Sequence, residues 1–183
     1  MLKYLMILAT AGVIAGTPSF AQPPSSPSPY AGLQTRPIKA LSDQQVADLK
    51  AGRGMGLAMA AELNGYPGPL HVLELADPLG LGDGQRQAVR ALFDAMKAET
   101  IAIGEQLIVQ EAALDALFAE RRATAAAVAD LTGEIGGTQA RLRAAHLRYH
   151  LATLELLQPA QVERYAELRG YRGGSAGHRH HGR

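Results

Sequence analysis

The chain contains no cysteine. Disulfides and thiolate chemistry are both excluded, so packing and hydrogen bonding alone must hold the fold. A dominant charge is missing too: 18 Lys and Arg against 17 Asp and Glu leave a formal charge of +1. Such a balance supplies no overall electrostatic pull toward nucleic acid. Beyond the first residues there is no apolar run approaching the roughly 20 residues that a bilayer span requires. Proline is absent from Leu79 through Gln158, and this absence says the most, because it permits unbroken helix across the whole stretch. No Ser/His/Asp set, catalytic carboxylate pair or cofactor fingerprint stands out, and the expectation is a protein that is not an enzyme. Gly52-Arg53-Gly54-Met55-Gly56 superficially resembles a phosphate loop. No strand pattern precedes it and no Lys-Ser/Thr follows it, so its glycines are read as a bend or a close helix contact.

The N-terminus has the three parts of a secretory signal. Lys3 gives the positive start, Leu5 to about Ala15 the apolar centre, and Ser19-Phe20-Ala21 the small residues at a cleavage site. Residues 1–21 are therefore expected to be a signal peptide cut before Gln22. Its loss removes one Lys and no acid, taking the formal charge from +1 to 0. The mature chain is expected in the periplasm, without a membrane span. Pro23 to Pro29, rich in Pro and Ser, makes residues 22–40 an extended, mobile tether. Residues 172–183 read as a flexible His-rich tail.

Between tether and tail the period is helical throughout. Ser42 and Gln45 have capping-box spacing, opening a helical pattern that runs patchily to Leu63. Asn64 to Pro69 is a stop. A short helix from Leu70 to Asp77 should end at Pro78. Val89, Leu92, Phe93, Met96, Ile103, Leu107, Leu114 and Phe118 then recur at threes and fours, predicting one helix from about Asp83 to Glu120. Thr124 can cap a second, striped by Val128, Leu131, Ile135, Leu142, Ala145 and Tyr149. Gly133, Gly136 and Gly137 weaken its middle, and a kink near Gly136 is expected. Pro159 suits the first turn of a last helix, to Leu168. The fold expected over residues 41–171 is all-α, a long antiparallel helical hairpin with short helices at either end. Its stripes exceed what one hairpin can bury, and a homodimer with a cradle-like face is expected.

Two segments that open helices look alike. Leu81 stands four residues before Gln85, with Asp83 between them, and Leu157 stands four before Gln161. This pair resembles the L-T-x-x-Q motifs of the Spy/CpxP family of periplasmic proteins, and the likeness extends over Leu70 to Tyr171. Gly82 and Gln158 stand where the family has threonine, so a function that needs that hydroxyl is not carried over. The resemblance implies an all-helical, often dimeric protein. Some such proteins are ATP-independent chaperones of unfolded envelope proteins, and others modulate stress signalling or bind heavy metals. The expected function is that of a chaperone-like binder, with unfolded or misfolded envelope proteins as partners. The alternative is a metal-binding sensor or accessory protein of the same fold, with a stress or metal sensor as partner.

Three groups of residues could carry these functions. Arg141, Arg143 and Arg148, with Arg121 and Arg122, put positive charge along the hairpin and could form a mixed basic and apolar client surface; they also read as a solvated helix face. His146 and His150 are four apart on one helix face, the spacing of two ligands on one metal, and equally of two partly buried histidines at a packing boundary. His178, His180 and His181 could bind Zn, Ni, Co or Cu weakly from the tail. No cofactor is expected to be required. Met55 and Met59, also four apart, are read as core.

Overall fold

A computed structural model describes residues 28–172; the expected signal peptide, most of the Pro/Ser segment and the three tail histidines lie outside the described residues. Ser28–Gly32 form a turn of their own, in which the Ala31 amide donates to the Ser28 carbonyl at 2.8 Å. Everything described below belongs to the unit from Leu33 onward. Among the described residues all regular structure is helical: a 3-10 turn at Leu33–Thr35, then α1 (Asp43–Lys50), α2 (Met59–Glu62), α3 (Pro69–Glu74), α4 (Asp83–Ala119), α5 (Ala125–Glu155) and α6 (Pro159–Leu168).

The two long helices are α4, of 37 residues, and α5, of 31, about 55 Å and 46 Å at 1.5 Å per residue. They pack against each other as the expected hairpin, turning through Glu120–Thr124. Thr124 caps α5 by accepting from the Ala127 amide at 3.2 Å. No break occurs at Gly136: α5 is helical from Ala125 to Glu155. The buried Ile135, Thr138 and Leu142 of its inner face carry the helix through the weak glycines. Cooperative hydrogen bonding and packing outweigh a cost of about 1 kcal/mol per glycine.

The helical pattern after Ser42 does not run to Leu63. The capping box forms, with the Gln45 amide donating to Ser42 Oγ and the Ser42 amide to Gln45 Oε1. The helix then stops at Lys50. Gly52 lies at φ +66°, and Met55 and Gly56 also have positive φ, which a continuing right-handed helix excludes. The turn returns the chain as α2, which packs on α5, while α1 packs on α4. Close approach is built into that second contact: a Cβ at Gly104 would lie 2.7 Å from the Leu49 carbonyl oxygen. Contacts with α4 begin before Ser42, since Lys39 pairs with Asp115 at 3.0 Å. The short helix α3 ends at Glu74, ahead of the expected Asp77; Pro78 has no N–H to donate to the Glu74 carbonyl four residues back, and turns carry the chain on to Leu81.

Two apolar cores result. One gathers Val72, Ala76, Leu79, Leu81, Val89, Leu157 and Tyr165 where α3, α4 and α6 meet. The other holds Leu49, Leu107, Ile135 and Leu142 between α1, α4 and α5.

Candidate functional site

The two motif segments come together. Leu81 and Leu157 are buried in the same core. Gln85 Nε2 donates to Gln161 Oε1 at 2.8 Å and Gln161 Nε2 returns a bond to Gln85 Oε1 at 3.1 Å. Each Nε2 gives its second hydrogen to a carbonyl on the other side: Gln85 to Leu156 at 2.8 Å, Gln161 to Leu79 at 3.3 Å. Each Oε1 also accepts from the backbone amide that opens its own helix, Gly82 at 3.2 Å and Gln158 at 2.9 Å. All donors and lone pairs of both amides are thereby used. Neither Gly82 nor Gln158 returns a side-chain cap; the glutamine alone caps each helix. Asp83 sits exposed in the first turn of α4, where the helix dipole favours an acid. The motif positions thus form a structural clasp.

Beside the clasp lies a buried carboxylate that the sequence did not single out. Glu62 Oε1 accepts from the Tyr165 hydroxyl and from the Tyr171 hydroxyl, the latter at 2.9 Å, with Arg169 Nε 3.6 Å away. Its Oε2 accepts from the Gly68 amide at 3.2 Å and lies 3.7 Å from His150 Nδ1. Burial, then the hydrogen bond to Glu62, holds the Tyr165 phenol protonated far above its ordinary range. The only sequence signal for this node was an acid in the otherwise apolar pattern of α2.

The histidine pair is brought into the interior. His146 is 3% and His150 8% exposed. His150 Nδ1 lies 2.7 Å from the Tyr66 carbonyl oxygen. A carbonyl only accepts, so Nδ1 carries a hydrogen. The ring packs against backbone: a Cβ at Gly68 would lie 2.9 Å from His150 Nε2. Nε2 of His146 is buried with no hydrogen-bond partner. Burial, and then the neighbouring His150, push the His146 imidazole below its usual range, so it is neutral at pH 7. Among the described residues no group of three or more His, Cys, Asp or Glu is arranged to hold a metal ion.

Met55 and Met59 do not enter the core. They are 42% and 57% exposed, because the turn that breaks the first helix carries them outward. They wall an open pocket of about 580 Å³ that includes Phe93, Met96, Leu70 and the edge of His150. A second pocket, of about 620 Å³, runs between α1 and α5 over Leu41, Leu57, Leu107 and Leu142. Met55 lines both pockets.

The arginines divide. Arg148 Nη2 donates to both oxygens of Glu99 at 2.6 Å, and the guanidinium holds that carboxyl below its usual range. Arg141 donates to Gln106 at 3.1 Å and Thr138 at 2.9 Å, bridging α5 to α4. Arg143 lines the second pocket. Arg121 and Arg122 sit at the hairpin turn, Arg121 at φ +55°.

Comparison of the chain with protein-family models, curated proteins and solved structures finds no match. No helix of the described residues is long and apolar enough to cross a membrane.

Proposed function

We propose that this protein is an ATP-independent, chaperone-like binder of non-native polypeptides, exported to the periplasm. The observation that carries the reading is the pair of open, largely apolar pockets that share Met55 as a wall. Methionine is unbranched and polarisable, so a surface walled by Met55, Met59 and Met96 can adapt to many apolar sequences. The frame beneath it is rigid: α1 is locked on α4 through Gly104, and α2 is held through Glu62. The clasp between Gln85 and Gln161 supports the resemblance to the Spy/CpxP proteins, since it gives the two motifs one shared structural purpose. Purified protein at near-stoichiometric ratio is expected to delay aggregation of several unrelated heated or reduced clients without ATP. Met55→Asp is expected to abolish the delay while leaving helicity and melting unchanged, because Met55 is exposed. No delay with any client at twofold excess rules the reading out.

A second reading is favoured by His146, whose buried Nε2 has no partner. A neutral imidazole with a free lone pair is a ligand for zinc, nickel, copper or cobalt. His150 stands four residues on, and the tail histidines His178, His180 and His181 supply further donors. In this reading the protein is a metal-binding accessory or sensor component. Calorimetric titration with zinc and nickel separates the possibilities. Loss of binding in His146→Ala supports the structured pair, and loss on removing residues 178–183 supports the tail. Binding by neither ends the metal reading.

A further inference from the structure

The chain has five methionines, Met1, Met6, Met55, Met59 and Met96, and neither cysteine nor tryptophan. Every one beyond Met6 lines the same pocket. They differ in access: Met55 is 42% and Met59 57% exposed, whereas Met96 is 7%. Met55 rides on the turn that follows α1, at φ +44°. Met59 lays its sulfur over Gly56, where a Cβ would stand 3.2 Å from Sδ. Met55 also walls the second pocket. The accessible sulfur of the described residues is thus confined to the walls of the two pockets. In a chain without thiol or indole, a thioether is the side-chain group that a two-electron oxidant attacks first.

We propose that Met55 and Met59 form a reversible oxidation site that switches off the apolar pockets. The oxidant is hypochlorous acid, or another two-electron oxidant that donates oxygen. Sδ gives up two electrons and gains a bond to oxygen as the O–Cl bond breaks; chlorine leaves as chloride and the proton goes to water. The product is a sulfoxide, polar where the thioether was apolar. A dithiol reverses the step, taking the oxygen off as water while it becomes a disulfide. An apolar ligand laid against the sulfoxide must strip water from its oxygen, a cost that unpaired burial does not return. Because Met55 is common to both walls, one oxygen atom changes both pockets. Met96 is shielded, so α4 beneath stays packed. Control of client binding rests on the reading of the pockets as the client site; the oxidation itself does not.

The test titrates the purified protein with hypochlorous acid and maps the products by peptide mass spectrometry. A gain of one oxygen is expected at Met55 and Met59 before Met96. Over the same titration the affinity for the neutral apolar dye Nile red should fall about tenfold, with the circular dichroism spectrum unchanged. Methionine sulfoxide reductases for both epimers, with dithiothreitol, should restore it. Met55→Leu with Met59→Leu keeps the apolar volume; it should bind the dye like the parent and go on binding it after oxidant. Met96→Leu should still be switched off. Oxidation of Met96 ahead of or together with the exposed pair overturns the site. Dye binding that survives full oxidation of Met55 and Met59, or that falls equally in the double leucine variant, overturns the switch. So does an untreated parent that binds no dye, since it has no apolar pocket to close. An untreated protein that binds dye and responds to oxidant, yet never delays client aggregation, overturns the client reading and supports the oxidation site alone.

Discussion

Gln85 and Gln161 hold each other by two amide–amide hydrogen bonds, of 2.8 and 3.1 Å, across 76 residues of chain. Each also caps the helix it belongs to. One glutamine therefore has a local reason to sit three residues into its helix and a distant reason to point at the other. Removal of either leaves the other with a part-buried N–H and one carbonyl lone pair unmatched, at about 1–3 kcal/mol.

Gln85→Ala and Gln161→Ala are each expected to lower stability by about 2 kcal/mol. The double variant should lose clearly less than the sum, by about 1 kcal/mol, since the second removal finds its partner already absent. Urea denaturation of the four proteins checks this. Strict additivity would mean that the two amides act only as separate caps.

Glycines that look alike in sequence should respond in opposite directions. Gly104→Ala would set a Cβ 2.7 Å from the Leu49 carbonyl oxygen, and should cost about 1–3 kcal/mol as α1 is pushed off α4. Gly133→Ala and Gly136→Ala meet nothing within 4 Å, and should each stabilise α5 by about 1 kcal/mol. Thermal melting gives the signs directly.

Glu111 is a buried acid on α4 whose carboxyl is pushed above its ordinary 4.5 by burial. The native state then binds its proton more tightly than the unfolded chain. The resulting stability is complete below pH 4.5 and is lost as pH rises through the higher folded value. Glu111→Gln should therefore melt higher than the parent at pH 7.5, with the gap closing on acidification. A gap that does not change with pH would assign the effect to packing instead.

His146 works the other way. Burial and His150 hold its imidazole below the ordinary 6.5. Its stability contribution is present above pH 6.5 and falls as pH drops from there toward the lower folded value. His146→Leu removes both the titration and the unpartnered Nε2, and should flatten the melting profile between pH 7 and 5 relative to the parent. An unchanged slope would place the titrating group elsewhere.

Much of the fold could be read from patterns that rest on local physics. The proline-free stretch with apolar residues at threes and fours gave α4 and α5, and Ser42, Thr124 and Pro159 marked helix starts where they occur. What local pattern could not supply was direction. Met55 and Met59 have helical spacing, yet positive φ at Gly52 and Met55 turns them outward. Gly133, Gly136 and Gly137 suggested a kink that does not occur, because α5 packs against α4, whereas the bend read at Gly52 to Gly56 does break a helix. Glu62 was illegible for a different reason: its two tyrosine partners stand more than a hundred residues away, and no short-range period encodes them.

That separation also sets an order of assembly. The α4–α5 hairpin is joined by a short turn and can zip from its tip, each contact adding little loop entropy to the one before. The bond from Tyr165 to Glu62 spans 103 residues and that from Tyr171 spans 109, so both wait for the hairpin to bring the ends of the body together. Glu62 is thus a late fastening, made only after the last helix has been added to the body. Tyr165→Phe should speed unfolding and leave the refolding rate nearly unchanged in stopped-flow measurements. A chain truncated before Tyr165 would keep its hairpin and leave a bare carboxylate where the fold is meant to close.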